Sequence, residues 1–261
     1  MSVRSGLGIR WNTYHESPFR RKDRPRVWAH RGASADAPEN TRAAFEAAEQ
    51  QGADGIECDL RLARSGEIVV FHDEDLGRLA GVPVALRDLP LSELRRLRIL
   101  GSEETIPTLD EAFAAVSARM FWNLELKVDR HEEAVPLAQA VVDWVRRAGV
   151  GRRVLLSSFH PLALLTCRKL APELATAYLW EAGAFHPLWH GAWLRMLSSA
   201  AVHPPTSVVT ERRVERWHRL GLCVNAWVSN EAEEMRRLDA AGVDGIVTDL
   251  PSLALQALGA S

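Results

Sequence analysis

Short runs of apolar and β-branched residues alternate with amphipathic stretches along almost the whole chain, and this alternation constrains the fold more than any other feature. In the first unit, residues 27–30 have a strand pattern, Asn40 or Thr41 can cap a helix over residues 42–51, and Gly52 can end it. The strand candidates are residues 27–30, 55–62, 68–72, 121–127, 154–159, 174–179, 200–203, 222–228 and 245–248. Because the alternation is sustained over 261 residues, it predicts an α/β fold, a parallel (β/α)8 barrel with its helices outside.

The candidates number one more than the eight strands of such a barrel. The link between the second and third candidates is too short for a crossover helix, and Ser65-Gly66 suits a two-residue hairpin turn. With that turn, His72 lies directly across from Asp59. In the alternative arrangement, residues 174–179 form an extended link between helices, and the third candidate is a parallel strand that lacks its helix. Both arrangements are compatible with the sequence.

Two of the strands collect polar side chains on one face, because side chains two residues apart share a face. These side chains are Glu57, Asp59 and Arg61 on the second candidate and Asn123, Glu125 and Lys127 on the fourth. The opposite faces are apolar and suit packing under helices, so the polar faces are expected to line the barrel mouth. The carboxylates of Glu57, Asp59 and Glu125 would repel one another there, and a divalent cation would relieve that repulsion. All-oxygen ligation favours Mg²⁺ or Ca²⁺ over zinc.

Two histidines flank the first two of these carboxylates, Glu57 and Asp59, in the sequence. His30, in His30-Arg31-Gly32, and His72, in Phe71-His72-Asp73, each end a β-like run. Paired imidazoles around a carboxylate cluster are typical of proton transfer beside a metal-held anion, so the pattern indicates an enzyme. Arg31 and Lys127 add positive charge that suits a phosphate group, the first as a planar fork and the second as a point charge.

A longer set of motifs occurs in order between residues 27 and 251. The set comprises Ala29-His30-Arg31-Gly32, Pro38-Glu39-Asn40-Thr41, Glu57-Cys58-Asp59, His72-Asp73, Ile106-Pro107-Thr108-Leu109, Leu124-Glu125-Leu126-Lys127, Ser158-Phe159, Asn225-Ala226-Trp227 and Gly245-Ile246-Val247-Thr248-Asp249. In this order the set resembles the glycerophosphodiester phosphodiesterase family. The resemblance implies a TIM (β/α)8 barrel that hydrolyses glycerophosphodiesters to glycerol 3-phosphate and an alcohol with a divalent metal.

The resemblance also implies a role for each residue of the site. His30 and His72 would be the general acid/base pair, Glu57, Asp59 and Glu125 the metal ligands, Arg31 and Lys127 the phosphate ligands, and Trp227 an apolar wall for the glycerol part. His72, which the hairpin brings near Asp59, is expected to be tuned by the metal cluster, and His30 to act on the leaving group. Direct attack by water and prior attack by a glycerol hydroxyl, which gives a cyclic phosphate, are both open.

Two segments are expected to influence the choice of substrate. Residues 73–105, with one helix over residues 92–97, form an insertion that should arch over the C-terminal mouth of the barrel. Where the family usually carries a Thr-Thr-containing stretch, residues 77–81 are Gly-Arg-Leu-Ala-Gly. This difference leaves the identity of the alcohol group of the substrate open. Residues 180–197 carry tryptophans at helical spacing, for which packing against the barrel is favoured over a lid for a lipid-like substrate.

Several further polar residues have ordinary structural interpretations. His160 and His203 are expected to be structural, and Glu39 to complement the start of a helix rather than to bind a metal. Asp249 could cap a helix or contact substrate-binding groups. Cys58 faces away from the carboxylates and is expected in the core.

Charge and composition limit the possible binding partners and the cellular compartment of the protein. A net charge of -2 offers no excess of Lys and Arg for a row of phosphates, which argues against a nucleic-acid partner. The three cysteines lack metal-ligand spacing and are expected to be reduced thiols of a cytoplasmic protein. No uncharged apolar run approaches the about 18 residues of a membrane span, so no stable membrane insertion is expected.

Composition also suggests how the chain is divided. Residues 1–26 carry scattered charge without an apolar signal region and are expected to form a loosely ordered N-terminal arm. Removing residues 1–24 should then be harmless. Residues 27–261 are expected to form a single phosphodiesterase barrel domain, and the oligomeric state is left open.

Three functions are compatible with these patterns. The leading one is a metal-dependent glycerophosphodiester phosphodiesterase that acts on a small-molecule substrate. A second is a hydrolase on the same barrel that acts on lysophospholipids or on another phosphodiester. A third is a non-catalytic barrel that binds phosphorylated ligands.

Overall fold

The computed structural model describes residues 17–181 and 199–259. Its strands are β1 (Arg26–His30), β2 (Gly55–Leu62), β3 (Ile68–Val70), β4 (Asp75–Leu76), β5 (Val82–Ala85), β6 (Phe121–Leu126), β7 (Val154–Ser158), β8 (Ala175–Leu179), β9 (Ala201–His203), β10 (Cys223–Ala226) and β11 (Gly245–Thr248). In the described part of the chain, eight parallel strands follow the order β1-β2-β6-β7-β8-β9-β10-β11, and β11 pairs with β1 to close the sheet. The predicted parallel barrel is confirmed.

Helices connect most of the strands. They are α1 (Arg42–Gln50), α2 (Gly77–Ala80), α3 (Leu91–Leu94), α4 (Leu109–Ala114), α5 (Ala134–Ala148), α6 (Pro161–Leu170), α7 (Glu211–Arg219), α8 (Ala232–Ala240) and α9 (Pro251–Ala257), with 3₁₀ turns at Leu86–Asp88, His131–Glu133, Gly151–Arg153 and Thr206–Val208. All of these helices but α2 and α3, which belong to the insertion after β3, lie around the barrel. Of the two predicted caps of α1, Thr41 is the one whose side chain accepts a hydrogen bond, from the Ala44 N–H. None of the helices in residues 17–181 and 199–259 combines the length and the apolar character needed to cross a membrane.

The extra strand, β3, is the antiparallel partner of β2 in a hairpin, while β8 lies between β7 and β9 as a parallel barrel strand. The hairpin arrangement is therefore the correct one, but the predicted register is wrong by one residue. The Ala63 N–H donates to the Glu67 carbonyl at 3.0 Å, which leaves a three-residue loop with Gly66 at a φ of 97°. Glycine adopts this left-handed conformation without strain, so the longer loop is favoured. As a result Phe71, not His72, lies opposite Asp59.

Side chains alternate between the barrel interior and the helical layer, as the two-residue period requires. Along β1, Trp28 is buried inside the lower part of the barrel, and His30 reaches the cavity at its mouth. Gly55 and Gly245 flank the indole, and a Cβ on either glycine would lie 2.6 Å from an atom of its ring. The absence of side chains at these two positions makes room for Trp28 between neighbouring strands.

The described part of the N-terminal arm, from residue 17 onward, packs against the end of the barrel opposite the mouth. Phe19 is 1% exposed, and its ring centroid lies 6.4 Å from that of Trp28 and 5.9 Å from that of Phe121. Nearby, the Arg21 guanidinium forms an ion pair with Asp239 at 2.7 Å. The expectation of a loosely ordered arm is therefore wrong for its described part, because an apolar side chain there covers the barrel floor.

Replacing Phe19 with alanine is expected to lower the free energy of unfolding by about 3–5 kcal/mol, as for other buried phenylalanines. Removing residues 1–24 takes away the same side chain, so this truncation is now expected to destabilise the protein. Urea unfolding measures both effects. Val135→Ala, at a side chain 48% exposed, is the control and should change little. A wild-type midpoint for Phe19→Ala would contradict the packing described.

The insertion after β3 has its own small core beside the hairpin. Leu76, Leu79, Leu86, Leu94 and Ile99 are buried in it. Where the sequence predicts one helix over residues 92–97, the insertion contains the short helices α2 and α3 and the two-stranded ribbon of β4 and β5. Gly81, at a φ of 72°, ends α2 and allows the turn into β5.

Candidate active site

A cavity of about 450 Å³ opens at the C-terminal ends of the barrel strands. Its lining includes most of the predicted site residues, namely His30, Arg31, Glu57, His72, Glu125, Lys127 and Trp227. These side chains come from four barrel strands and the loops that follow them, together with the loop after β3. Closure of the sheet thus brings together residues that are far apart in the sequence.

Glu57, Asp59 and Glu125 form a buried acidic cluster in this mouth. Strand pairing sets Glu125 beside Asp59, and the two-residue period puts Glu57 on the same face. One carboxylate oxygen from each of the three residues lies within 4.8 Å of the other two. Mg²⁺ and Ca²⁺ lie about 2.0–2.6 Å from their oxygen ligands, so ligand atoms up to about 5 Å apart can share one ion.

The charges of the cluster are only partly balanced by the residues around it. Burial and the neighbouring carboxylates of Asp59 and Glu125 raise the pKa of Glu57 well above its usual range. Within the part of the chain that the structure describes, Glu57 Oε1 is buried and receives no hydrogen bond. A buried carboxylate oxygen without a donor is costly, and a cation would satisfy it. The donor set and this free oxygen both fit a hard divalent cation.

His30 is held by a carboxylate from the last strand of the barrel. Its Nδ1 lies 2.7 Å from Asp249 Oδ1, and Asp249 also accepts hydrogen bonds from Ser34 Oγ at 2.8 Å and Asn230 Nδ2 at 2.6 Å. Burial by itself would raise the pKa of Asp249. The hydrogen bond with His30 outweighs burial and lowers this pKa to about 2. An ionised carboxylate at Nδ1 keeps the proton on that nitrogen and leaves Nε2 for chemistry.

His72 is held by a carboxylate in the same way as His30. Its Nδ1 lies 2.6 Å from Asp73 Oδ1. Burial lowers the pKa of His72; the carboxylate of Asp59 opposes this change, and the positive charges of Lys127 and Arg31 add to it. The imidazole is therefore neutral near pH 7, with Nε2 available as a proton acceptor.

The motifs, the barrel and this mouth agree with a comparison against known families. The sequence profile of the Glycerophosphoryl diester phosphodiesterase family matches residues 30–253. The chain belongs to this family. The predicted enzyme class, a glycerophosphodiester phosphodiesterase, is confirmed, and the family hydrolyses glycerophosphodiesters.

Individual relatives of this phosphodiesterase cover nearly the whole chain. A glycerophosphodiester phosphodiesterase of Caldanaerobacter subterraneus is 35% identical in an alignment of 236 positions, which covers 86% of this chain and 94% of the relative. The structure of an Oleispira antarctica phosphodiesterase in complex with the product sn-glycerol-3-phosphate superposes with a TM-score of 0.81 at 32% identity, covering 90% of this chain and 97% of the other. A glycerophosphodiester phosphodiesterase of Thermotoga maritima superposes with a TM-score of 0.75 at 30% identity, covering 89% and 97%.

Two cations of this phosphodiesterase lie against the acidic cluster. Lys127 Nζ is 2.5 Å from Glu125 Oε1 and 3.1 Å from Asp59 Oδ1, and Arg31 Nε is 3.3 Å from Asp59 Oδ2. Although burial favours its neutral form, the carboxylates of Asp59 and Glu125 raise the pKa of Lys127, so it stays an ammonium. Both cations border the cavity, where an anionic ligand would meet them.

Glu39 has a different role from the one expected for it. Instead of complementing a helix start, its carboxylate accepts a hydrogen bond from Arg31 Nη1 at 2.7 Å and pairs with Arg78 of the insertion. Next to it, Asn40 Nδ2 donates to Asp59 Oδ2 at 2.7 Å. The loop before α1 therefore holds both the guanidinium and one carboxylate of the site.

Aromatic side chains form one wall of the cavity. The Trp227 and Phe159 rings meet edge to face with centroids 5.5 Å apart, and Trp227 Nε1 donates to the His203 carbonyl at 2.8 Å.

The His203 ring is buried and accepts a hydrogen bond from Asn225 Nδ2 at 2.9 Å. Burial lowers the pKa of His203 to about 3, so its ring is neutral. His160 also borders the cavity, with its ring centroid 5.3 Å from that of His131.

The tryptophan-rich segment is described only at its start. Trp180 packs edge to face against Trp217, with centroids 6.5 Å apart. The tryptophans at helical spacing in this segment, Trp189 and Trp193, lie outside the described residues.

The sequence did not predict that two carboxylates, Asp73 and Asp249, hold the imidazoles, although Asp249 was already a candidate for capping a helix or contacting substrate-binding groups. A signal for Asp73 was present, because it directly follows His72 in the sequence. Asp249 ends the Gly245-Ile246-Val247-Thr248-Asp249 motif, and its position became informative only with the knowledge that β11 pairs with β1. In a parallel barrel, an acidic residue that directly follows one strand can therefore hold a histidine on the neighbouring strand.

Proposed function

We propose that this enzyme hydrolyses glycerophosphodiesters to glycerol 3-phosphate and an alcohol, with a divalent cation and with His30 and His72 as the general acid/base pair. The observation that carries the proposal is the shared cavity. Two imidazoles, each anchored through Nδ1 by a carboxylate, border the same cavity as an acidic cluster able to bind a metal. The product complex of the Oleispira antarctica relative supports glycerol 3-phosphate as the product.

Glu57, Asp59 and Glu125 would hold the cation, and Mg²⁺ and Ca²⁺ both suit their oxygen ligands. When bound, a divalent cation supplies neutralisation of the phosphoryl charge and a lower pKa for bound water. Arg31 and Lys127 add positive charge from the protein and would orient the phosphate. A phosphodiester is an anion that repels nucleophiles, so this neutralisation should be one of the larger contributions to the rate.

Proton transfer would fall to the two Nε2 atoms. Because its ring is neutral near pH 7, His72 is suited to accept the proton of the attacking group. His30, held by Asp249, would protonate the departing alkoxide, which is a poor leaving group without that proton. Trp227 and Phe159 would provide an apolar wall for the glycerol carbons.

The assay that tests the proposal uses glycerophosphocholine, glycerophosphoethanolamine and a lysophospholipid, each with Mg²⁺, with Ca²⁺ and with EDTA. Release of glycerol 3-phosphate from the first two, abolished by EDTA, is expected. A faster reaction with the lysophospholipid would favour an acyl-bearing substrate instead. A transient cyclic phosphate in the ³¹P NMR spectrum would indicate attack by a glycerol hydroxyl, and its absence attack by water. No product with either metal would contradict the proposal.

Asp249→Asn is expected to lower kcat by about 10²- to 10⁴-fold, because an amide can hold His30 in the wrong tautomer. KM should change far less, since Asp249 is not proposed to touch the substrate. Steady-state kinetics with glycerophosphocholine measure both values. Ser34→Ala removes only one donor to the same carboxylate and is the matched control, with a much smaller effect. Equal losses in the two variants would contradict a special role for the carboxylate.

We further propose a single domain over residues 27–261 and a cytoplasmic location. The eight strands of one closed sheet span residues 26–248, which supports a single unit. Cys58, Cys167 and Cys223 are buried as free thiols, as suits a reducing compartment. The small net charge of -2 supports a small-molecule substrate rather than a nucleic acid.

A further inference from the structure

We propose that Arg78, on the insertion, is a positioning residue that holds His72 and Arg31 in their working orientations through two carboxylates. The inference rests on the proposed function, because it takes His72 as a catalytic residue and Arg31 as a phosphate ligand. Arg78 itself does not border the cavity. It would act entirely through its neighbours.

Arg78 makes a two-sided clamp at the rim of the barrel. On one side, its Nε and Nη2 donate to the two oxygens of Asp73 at 2.6 and 3.0 Å. On the other side, its Nη1 and Nη2 donate to the two oxygens of Glu39 at 2.8 and 2.8 Å. A guanidinium offers donors on two edges in a fixed plane, so one side chain can satisfy both carboxylates at once.

Each clamped carboxylate also holds a residue of the site. Asp73 Oδ1 accepts from Arg78 and lies 2.6 Å from Nδ1 of His72. Glu39 Oε1 accepts from Arg78 and, at 2.7 Å, from Nη1 of Arg31. Arg78 therefore contacts His72, the proposed proton acceptor, through Asp73. It contacts Arg31, a proposed phosphate ligand, through Glu39.

The backbone of Arg78 is itself fixed by the insertion core. Arg78 lies in α2, and the flanking Leu76 and Leu79 are 0% and 3% exposed in that core. The small core thus carries the guanidinium to the rim of the barrel. The insertion is then part of the catalytic geometry.

Arg78 also influences the electrostatics of the imidazole. Although burial opposes it, hydrogen bonds from Arg78 and His72 lower the pKa of Asp73 to about 2. Without the guanidinium, Asp73 would lose Arg78 as a cationic partner and keep its hydrogen bond with His72. The protonated imidazole would be favoured, and His72 would lose its proton at a higher pH.

The test compares Arg78→Ala, Arg78→Lys and the control Arg95→Ala with the full chain and Mg²⁺. Arg95 is also on the insertion, is exposed to a similar degree, 52% against 48%, and pairs with Glu111 away from the cavity. Arg78→Ala is expected to lose about 10- to 100-fold in kcat/KM, as for other residues that orient a working group. Its rise in kcat/KM with pH should shift to higher pH. Arg78→Lys should recover only part of the loss, because an ammonium cannot bind two carboxylates in bidentate fashion.

Chemical rescue distinguishes positioning from folding. The Arg78 side chain is half-exposed, so guanidinium ions at millimolar concentration should enter the space left in Arg78→Ala and restore activity. NaCl at the same concentration should not. A wild-type rate and pH profile for Arg78→Ala would overturn the inference, as would a loss that guanidinium does not rescue or that Arg95→Ala shares. Failure of the proposed function would look different, because His72→Ala would then be as active as the wild type.

Discussion

Replacing His30 with alanine should reduce kcat/KM for glycerophosphocholine by about 10²- to 10⁴-fold, the usual contribution of a general acid or base. The loss should depend on the leaving group, because His30 is proposed to protonate the departing oxygen. With a glycerophosphodiester of p-nitrophenol, whose anion leaves without a proton, the same variant should lose far less. Steady-state rates with the two substrates, for the wild type and for His30→Ala, measure this difference.

His72→Ala is the matched comparison for that experiment. His72 is proposed to accept the proton of the attacking group, so its loss should be similar with both substrates. The two variants together therefore assign the acid and the base. A loss for His30→Ala that is independent of the leaving group, combined with a leaving-group dependence for His72→Ala, would reverse the assignment. Full activity in either variant would remove that histidine from the mechanism.

Glu125→Gln should weaken the binding of Mg²⁺ by about 10²-fold or more, because even indirect contacts to a bound metal contribute about 10- to 100-fold. The substitution keeps the shape of the side chain but removes one of the three charges that attract the cation. Isothermal titration calorimetry gives the affinity directly. Mg²⁺ should also raise the Tm of the wild type by mass action and leave that of Glu125→Gln almost unchanged.

Asp129→Asn is the control for this metal experiment. Asp129 also borders the cavity, but it is paired with Arg61 and lies outside the acidic cluster. Its replacement should leave the affinity for Mg²⁺ within a small factor of the wild-type value. Equal effects of Asp129→Asn and Glu125→Gln would show that the general negative charge of the mouth, rather than the cluster, attracts the ion.

The acidic cluster could be predicted from the sequence because simple geometry links the pattern to the place. Side chains of a strand alternate with a period of two, so Glu57 and Asp59 had to share a face. The carboxyl ends of parallel strands meet at one edge of the barrel, which brings Glu125 to the same mouth. These arguments need no knowledge of loops, and for this reason the structure agrees with them.

Features that depend on loops and closure could not be derived in the same way. Asp249 is 219 residues from His30 in the sequence, and they meet because the last strand pairs with the first. The hairpin register differed by one residue because the loop contains three residues with Gly66 left-handed, which the dipeptide Ser65-Gly66 does not reveal. Phe19 looked like part of a charged arm, and only the assembled barrel has the apolar floor that it covers.

Crystals grown with Mn²⁺ in place of Mg²⁺ test most directly whether the three carboxylates gather a metal beside the two imidazoles. Mn²⁺ takes similar oxygen ligands and has an anomalous signal that locates it without ambiguity. A peak within about 2.0–2.6 Å of oxygens from Glu57, Asp59 and Glu125 is expected. That peak should be absent from crystals of Glu125→Gln. Its appearance elsewhere in the wild type, or no peak at saturating Mn²⁺, would contradict the proposed active site.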